Sequence, residues 1–348
     1  MLKIDGSHGE GGGQILRTAV SLSVLTKTPV EISNIRANRP DPGIKPQHYT
    51  AIKLIKDLCN AQTTGLEIGS SKVTFQPGKI KGGEYRFDIG TAGSIVLVCQ
   101  TCVLSLVNTS ERVKIVITGG TDVKWSPSWD YFERVFLPII NNMGLNVRGK
   151  LIRRGYYPKG GGEAELTVDP SEKLKPFRYI ENIKFSKVKG IVHQAQLPDH
   201  VGTRIKHAAI KQLMKNSLIA DISLEKVDSP SPGTGITIWT QEKNIILGET
   251  GLGERGIPAE RIGEDTAIRL LDEIRSGATI DSHALDQIIP YMALANITGS
   301  SSCLVGQISS HAETNMWLVS QFFRNKEIFK VEKVKNLYNV RTNKSKIK

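Results

Sequence analysis

Three short segments of the sequence combine residue types that handle phosphate groups. The first, residues 5–17, reads Asp-Gly-Ser-His-Gly-Glu-Gly-Gly-Gly-Gln-Ile-Leu-Arg and places a glycine-rich turn before an apolar helical pattern. Free backbone N–H groups and the positive end of a helix dipole attract phosphates. Glu10 could hold a divalent cation there, and Arg17, one turn into the helix, could contact a phosphate. The alternative is a tight turn with a surface carboxylate.

The second segment, residues 36–48, is a proline-rich loop that carries three cations and ends in His48. Rigid, crowded cations suit a phosphate or a polynucleotide backbone, because little conformational entropy is lost on binding. A solvated basic loop is the other interpretation. The glycine-rich turn of the first segment matches neither a Walker phosphate loop nor a dinucleotide fingerprint.

The third segment is a histidine at a strand-to-helix junction. His311 follows an apolar strand-like stretch and opens the helical pattern of residues 312–323. The positive end of a helix dipole favours neutral imidazole, which is the form that a nitrogen nucleophile needs. Among seven histidines, we therefore select His311 as the candidate covalent catalyst. An ordinary residue in the first turn of a helix would look the same.

Alternating helix-like and strand-like patterns must position these segments. Stretches rich in β-branched residues, such as residues 30–32 and 113–118, predict strands. Apolar residues at helical spacing predict helices packed on sheets. The apolar faces of the five predicted helices begin at Ile15, Tyr49, Trp129, Leu285 and Met316.

Residues 183–277 have a different order of predicted elements, namely a strand, a helix, three strands and a helix. This order predicts an αβ unit inserted into a larger domain. Glycine-rich segments recur at residues 9–14, 81–84, 159–163 and 251–256. The shared triple glycine hints at internal duplication. We interpret these glycines as phosphate-facing turns at repeated positions.

Composition restricts the class of protein. The 348 residues carry 46 Lys and Arg against 34 Asp and Glu, a formal net charge of +12. Half of this excess lies in residues 326–348, whose basic end could attract a polyanion or simply be solvated. The sequence begins without a signal-peptide pattern, and its longest apolar stretch is too short to span a bilayer, so we expect a cytoplasmic protein. Four cysteines are too few for a disulfide framework, and the pair Cys99 and Cys102 lies in what reads as a buried helix.

Taken together, these segments resemble the RNA 3′-terminal phosphate cyclase family. Residues 154–164, Arg-Gly-Tyr-Tyr-Pro-Lys-Gly-Gly-Gly-Glu-Ala, are similar to the family signature of Arg or His, Gly, two residues, Pro, one residue and three glycines. Residues 5–17, 36–48 and 311–315 match further family motifs in order. The resemblance covers the chain up to its basic tail.

The resemblance implies an α+β fold. It consists of three repeated units of two helices on a four-stranded sheet, similar to the C-terminal domain of translation initiation factor three, with a small inserted αβ domain. Residues 1–182 and 278–340 would form the large catalytic domain, residues 183–277 the insert and residues 341–348 a basic tail. Enolpyruvyl transferases share the repeat, but they leave the ordered motifs unexplained.

The resemblance also implies a reaction. A family member uses ATP, with Mg²⁺ or Mn²⁺, to convert an RNA 3′-phosphate to a 2′,3′-cyclic phosphate through a histidine–AMP intermediate and an RNA-adenylate, releasing AMP and pyrophosphate. His311 matches the adenylated histidine and Glu10 matches the acidic residue at the metal. Matches to ATP-binding positions are Gln100, Pro127, His283, Ala284, Leu285, Asp286, Gln287 and His311. Matches to phosphate- or RNA-binding positions are Arg17, Arg39, Lys45, Gln47 and His48.

One departure from the family concerns the nucleotide pocket, since many members carry Tyr where this chain has His283. Gln100 interrupts an apolar helix, as a pocket-facing amide would, and Pro127, flanked by Trp125 and Trp129, could pack on the base. The expected partners are RNA with a 3′-phosphate end and ATP, without a membrane and with a possible homo-oligomer. The alternative is a non-catalytic relative that binds RNA or assists ribosome assembly, although such relatives are expected to lose the nucleophile.

Overall fold

The computed structural model describes residues 1–181 and 183–343, and one arrangement of strands and helices occurs three times in them. The first unit forms a four-stranded sheet in the order β1-β2-β4-β3, in which β1 and β2 are parallel. Its elements are β1 (Leu2–Asp5), α1 (Gly13–Thr26), β2 (Val30–Ser33), α2 (Pro46–Cys59), β3 (Gln62–Thr64) and β4 (Val73–Gln76).

The second unit repeats this order, with its sheet arranged β5-β6-β8-β7 and with β5 and β6 parallel. Its second helix is continuous but contains a π-helical turn, Phe132–Phe136. The other elements are β5 (Gly83–Asp88), α3 (Ile95–Ser105), β6 (Val113–Gly119), α4 (Trp129–Tyr131), α5 (Leu137–Asn142), β7 (Asn146–Arg153) and β8 (Gly162–Asp169).

An extra unit interrupts the third repeat after its first strand, β9 (Arg178–Tyr179). Its sheet has the order β11-β10-β12-β13 and packs on two helices around a separate apolar cluster that includes Ile205, Ile236 and Leu270. Its elements are β10 (Lys187–Ala195), α6 (His200–Lys215), β11 (Ile219–Lys226), β12 (Gly233–Glu242), β13 (Ile245–Leu252) and α7 (Ala259–Ser276).

The third unit then resumes and completes a sheet in the order β15-β16-β14-β9, in which β9 and β14 are parallel. Its remaining elements are α8 (Ser282–Ala295), β14 (Ser302–Val305), α9 (Ser310–Phe323), β15 (Phe329–Val334) and β16 (Leu337–Thr342). The predicted α+β fold class is therefore confirmed. The domain limits at residues 182 and 277 stay a prediction, because they concern independent folding.

The three repeats share one hydrophobic core built around helix α3. Its sequence, Ile-Val-Leu-Val-Cys-Gln-Thr-Cys-Val-Leu-Ser, is apolar on nearly all sides because α1, α2 and α8 pack against it. Cys99 and Cys102 are both buried and unbridged in this helix, as predicted, and burial raises the pKa of the Cys99 thiol. This dense centre holds the N-terminal ends of the surrounding helices in fixed relative positions.

Two further predictions concern the chain's end and the membrane. Arg341 and Thr342, which were assigned to the basic tail, belong to strand β16, and Arg341 contacts Glu332 at 3.5 Å. Residues 344–348, the rest of that tail, lie outside the described residues. Among the helices that the structure describes, none is long and apolar enough to cross a bilayer.

Helices α6 and α7 of the extra unit pack so closely that only glycine fits at one position. A Cβ on Gly263 would overlap the carbonyl oxygen of Ile205 on the facing helix. We expect Gly263→Ala to lower the free energy of unfolding by about 1–3 kcal/mol, because a steric clash of this kind outweighs the better helix propensity of alanine. Denaturant titration followed by circular dichroism measures this, with the exposed Lys211→Ala on α6 as the matched control. Equal stability of the two variants would contradict the close packing.

Candidate active site

A large cleft lies where the parallel strands of all three repeats end. The carboxyl ends of paired parallel strands meet at the same edge of a sheet, and the helix that follows each strand begins at that edge. Helices α1, α2, α3, α8 and α9 all contribute residues of their first or second turn to the walls of the cleft. The cleft has a volume of about 1530 Å³. Five convergent helix N-termini make it a site for anionic groups.

His311 stands at the start of α9, on the wall of this cleft. The side chain of Ser309 caps the helix by accepting a hydrogen bond from the backbone N–H of Ala312. His311 Nδ1 lies 2.7 Å from Gln14 Oε1, and the Gln14 amide nitrogen donates to the His311 carbonyl at 3.3 Å. This second bond identifies Oε1 as the acceptor, so Nδ1 carries the proton and Nε2 carries the lone pair of the neutral ring.

Glu10 lies directly beside this nitrogen, at 3.3 Å from Oε2 to His311 Nε2. The same oxygen contacts Arg39 at 3.2 Å, and Oε1 accepts a hydrogen bond from the Ser310 hydroxyl. The Ser310 hydrogen bond, the charge of Arg39 and, when its ring is protonated, the charge of His311 lower the pKa of Glu10 against the opposing effect of burial. An ionised carboxylate therefore faces the candidate nucleophile.

Arg17 supplies a cation that is not neutralised by the protein. Its side chain lines the cleft, and no carboxylate lies within ion-pair distance of it in residues 1–181 and 183–343. Burial and the neighbouring Arg36 lower the pKa of Arg17 to about 10, so the guanidinium remains charged at neutral pH. An enclosed and unpaired cation in a cleft is a binding group for an anion.

His48 is the buried neighbour of these cations, and it is neutral. Its Nδ1 accepts a hydrogen bond from the backbone N–H of Lys45 at 3.3 Å, which leaves the ring proton on Nε2, beside Gly13. Burial, with the charges of Arg17, Arg36 and Lys45, lowers the pKa of His48 to about 3. His48 thus supports the glycine turn without adding another positive charge.

The part of the cleft wall formed by α3 and α8, next to the start of α9, carries amides and a carboxylate. Gln100 Nε2 donates to Gln287 Oε1 at 2.6 Å, and Gln287 Nε2 donates to the carbonyl of His283 at 2.9 Å. Asp286 accepts a hydrogen bond from the Ser309 hydroxyl, and burial raises the pKa of Asp286 to about 6. Helices α3, α8 and α9 are thereby connected along one side of the cleft.

The structure brings most, but not all, of the predicted residues to the cleft. Those that line it are Glu10, Arg17, Arg39, Gln47, His48, Gln100, Pro127, His283, Asp286, Gln287 and His311. Ala284 and Leu285 are fully buried on the face of α8 that packs into the core. Lys45 is not a lining residue: it occupies the N-cap position of α2, and its ammonium group pairs with Asp41, which does line the cleft. Trp129, which follows Pro127 closely in the sequence, is also fully buried, and its indole N–H donates to Glu133 at 3.1 Å.

Gln14 is the residue that sequence analysis missed. It holds the candidate nucleophile by two hydrogen bonds although the two residues are 297 positions apart. Its position directly after the triple glycine was the available signal, because that position falls in the first turn of a helix. Only the packing of α1 against α9 shows what it contacts.

The interpretation of every glycine-rich segment as phosphate-facing is wrong. The first segment does open into the cleft, but Gly160 and Gly161 approach Ala92 and Pro230 instead. Both have positive φ angles, which favour glycine. The Lys159 N–H donates to Ser231 at 3.1 Å. The family-signature segment therefore joins the second repeat to the extra unit.

A buried ionic cluster reinforces this junction. Arg154 lies between Asp122, at 3.2 Å, and Asp130, at 2.9 Å, and His193 Nε2 from the extra unit lies 3.4 Å from Asp122. His193 Nδ1 is 2.7 Å from the hydroxyl of Tyr156. Burial opposes ionisation, but the charges of His193 and Arg154 hold the pKa of Asp122 below its usual range. Removing one member would leave an uncompensated charge.

The neutral state of His48 predicts a pH dependence of stability. The folded pKa of about 3 lies below the ordinary histidine pKa of 6.5, so the unfolded chain binds more protons between these values and stability falls as pH drops through this window. We expect His48→Gln to reduce this slope, measured by denaturant unfolding at pH 7 and pH 4.5. The ring resonances of His48 in nuclear magnetic resonance spectra should not titrate between pH 8 and pH 4.5. A midpoint near pH 6.5 would contradict the assignment.

Comparisons with known proteins agree with this geometry. A model of the RNA 3′-terminal phosphate cyclase family matches residues 8–328. Proteins of that name resemble the chain over nearly its full length. The one from Pyrococcus furiosus is 45% identical over 323 residues, with 93% of each chain covered. The one from Methanosarcina barkeri is 43% identical over 340 residues, covering 98% of this chain and 99% of that protein.

A third protein of the same name, from Nitrosospira multiformis, is 42% identical over 325 residues, covering 92% of this chain and 91% of that protein. The resemblance drawn from the four ordered motifs is thereby confirmed. With the family model matching most of the chain and relatives well above 30% identity, the chain belongs to the RNA 3′-terminal phosphate cyclase family.

Proposed function

We propose that this protein uses ATP to convert an RNA 3′-phosphate end to a 2′,3′-cyclic phosphate, through a covalent His311–AMP intermediate. The observation that carries the proposal is the position of His311. Its Nδ1 is held by Gln14, and its Nε2 faces a cleft that is lined by unpaired and paired cations and by helix N-termini. Family membership supplies the reaction class, and this geometry supplies its nucleophile.

In the first step, His311 Nε2 attacks the α-phosphorus of ATP. A P–N bond forms, the bond from the α-phosphorus to the bridging oxygen breaks, and pyrophosphate leaves. The hydrogen bond from Nδ1 to Gln14 keeps the lone pair on Nε2 and lets the ring carry the positive charge that develops during the attack. Glu10, 3.3 Å away and ionised, stabilises that charge.

In the second step, an oxygen of the RNA 3′-phosphate attacks the same phosphorus, the P–N bond breaks and His311 is regenerated. The RNA now ends in a phosphoanhydride to AMP. In the third step, the neighbouring 2′-hydroxyl loses its proton and attacks the 3′-phosphorus, and AMP leaves. Activation is needed because a 3′-phosphate has no good leaving group of its own.

Positive charge in the cleft offsets the charge of the reacting phosphates. Arg17 lacks a carboxylate partner in the described part of the chain and is free to pair with a phosphate. Arg39 is joined to Glu10 by a single contact at 3.2 Å, so it can contact a phosphate while remaining on that carboxylate. The N-termini of α1, α2 and α9 add backbone N–H groups and their dipoles.

Glu10 fits the role of a ligand to Mg²⁺ or Mn²⁺. Its carboxylate is ionised, partly exposed to the cleft and of the hard oxygen type that these ions prefer. Mg²⁺ is commonly held by one or two carboxylates together with substrate phosphates and water, so a single protein ligand is sufficient. When bound, such an ion would neutralise phosphate charge, and the hydrogen bond from Ser310 would orient the carboxylate.

The part of the cleft lined by the side-chain amides of Gln100 and Gln287, here called the amide wall, is the proposed adenosine site. The hydrogen-bonded pair Gln100 and Gln287 can exchange its mutual bond for bonds to a nucleobase or a ribose. His283 is half-exposed, lies edge-on to Tyr131 at 6.4 Å between ring centroids and can stack on the base in place of the family's tyrosine. Pro127 lies on the facing loop.

The decisive test of the function is to trap the adduct. Incubation with α-labelled ATP and Mg²⁺ or Mn²⁺ should label the wild-type protein through an acid-labile and alkali-stable bond, as expected of a phosphoramidate. His311→Ala should form none. His207→Ala, which removes an exposed histidine on α6 away from the cleft, is the matched control and should be labelled fully.

Failure of wild type to form the adduct, together with failure to cyclise a 3′-phosphorylated RNA, would overturn the proposal. It would favour the alternative of a non-catalytic RNA-binding or ribosome-assembly factor. Labelling of His311→Ala at the wild-type level would leave the activity standing and refute the assignment of the nucleophile.

Gln14 is proposed as a positioning residue, and two variants separate its effects. Gln14→Leu removes the acceptor, and we expect the adenylation rate to fall about 10- to 100-fold, the range typical of a lost orienting partner, with little change in KM for ATP. Gln14→Glu retains an acceptor oxygen but adds a charge that favours the imidazolium, so the acid limb of the pH–rate profile should move to higher pH. Equal profiles for Gln14→Glu and wild type would show that Nδ1 does not bond to this side chain.

A further inference from the structure

The loop between β6 and α4 presents an indole ring to the cleft with no protein partner. Trp125 is 95% exposed, and no ring stacking, cation contact or hydrogen bond to its side chain occurs among the residues that the structure describes. The other three tryptophans are buried or partly buried. Exposed large apolar residues that line the cleft are, within that part of the chain, Trp125 and Ile257.

The backbone at this position is unfavourable for the residue that occupies it. Trp125 has a φ angle of 67°, in the left-handed region that bulky side chains rarely adopt. The strain and the exposure are both unfavourable to the folded protein on its own, and they occur at the same residue. Such a combination points to a role in binding.

The loop is braced by its neighbours, so the backbone that carries the indole is held at the wall of the cleft. The backbone N–H of Trp129 donates to the carbonyl of Thr121 at 3.1 Å and closes the loop. Inside the loop, the Ser126 hydroxyl donates to the carbonyl of Val123 at 3.0 Å. Lys124 forms an ion pair at 2.7 Å with Glu254 of the extra unit. This pair joins the Trp125 loop to the loop of the extra unit that carries Ile257, which also lines the cleft.

The Trp125 loop occupies the same position in its repeat as two other loops, one in each of the remaining repeats, that carry or lead to residues of the proposed site. In each repeat, the loop after the second parallel strand reaches the cleft: residues 34–45 in the first, residues 120–128 in the second and residues 306–309 in the third. The first carries Arg39, and the third leads directly to His311. The second carries Trp125, whose chemistry suits neither phosphate nor catalysis but suits a flat, apolar nucleobase.

We propose that Trp125, with Ile257 on the neighbouring loop of the extra unit, forms a stacking subsite for a nucleobase near the 3′ end of the bound RNA. This rests on the proposed function, since it takes RNA as the substrate. Stacking on an aromatic ring tolerates any base, because every base has a π-face. RNA is favoured over ATP because the amide wall already offers a partly enclosed base site, whereas Trp125 is fully exposed at the rim, where a polymer must leave the cleft.

The variant Trp125→Gly distinguishes a role of the ring in RNA binding from a role in stability. Trp125→Gly removes the ring and relieves the left-handed backbone, so the midpoint of thermal unfolding should be unchanged or higher, whereas a structural tryptophan would lower it. In anisotropy titrations with a 5′-labelled, 3′-phosphorylated oligoribonucleotide, we expect Kd to rise about tenfold, and Trp125→Phe should recover most of the affinity. Ile297→Ala, which removes an exposed apolar side chain outside the cleft, is the matched control.

Substrates with one abasic nucleotide locate the stacked base. Placed in turn at the last three positions, an abasic site should weaken wild-type binding about tenfold at one position and leave Trp125→Gly unaffected at that position, since the partner ring is already gone. Quenching of tryptophan fluorescence by RNA should disappear in Trp125→Phe. Equal sensitivity of both proteins to every abasic site, or unaltered RNA affinity of Trp125→Gly, would overturn the proposal.

Two other outcomes separate this inference from the function. If Trp125→Gly weakens ATP binding but not RNA binding, the ring serves the nucleotide and the RNA subsite is refuted. If wild type forms no His311 adduct and yet loses RNA affinity on Trp125→Gly, the stacking subsite stands and the catalytic proposal fails. RNA affinity and adenylation are measured separately for this reason.

Discussion

The cleft depends on one constraint, which is that a helix following a parallel strand must begin at the carboxyl edge of its sheet. Because the unit β-α-β-α-β-β occurs three times around one core, five long helices direct their N-termini at the same space. Their dipoles favour negative charge there. The protein adds Arg17 and Arg39 rather than neutralising the site, and the few carboxylates that reach it, such as Glu10, are held by specific partners.

Loops at equivalent positions of the three repeats carry different types of residue, although the arrangement of strands and helices around them is the same. The loop after the second parallel strand carries cations in the first repeat, an exposed indole in the second and leads to His311 in the third. The extra unit is inserted after the first strand of the third repeat, and its residues, such as Ile257, line part of the cleft. Repetition thus provides the geometry, and local sequence provides the function.

The family signature illustrates how a motif can be recognised and yet misinterpreted. Residues 154–162 identify the family, but Gly160 and Gly161 have left-handed backbones and Gly161 closely approaches Pro230 of the extra unit. Arg154 is enclosed by Asp122 and Asp130. A triple glycine permits close approach of any group, whether a phosphate or another piece of backbone. Sequence alone does not distinguish these, because both need the same absence of a Cβ.

Sequence alone determined the local features of this protein: the alternation of helices and strands, the buried cysteine helix, Glu10 at a glycine-rich turn and His311 at the start of a helix. These follow from periodicity and residue type over a few neighbouring positions. Tertiary structure decided which distant groups meet. The bond from Gln14 to His311, the burial of Ala284, Leu285 and Trp129, and the exposure of Trp125 all depend on how helices from different repeats pack. Contacts across hundreds of residues leave no periodic signal in the chain.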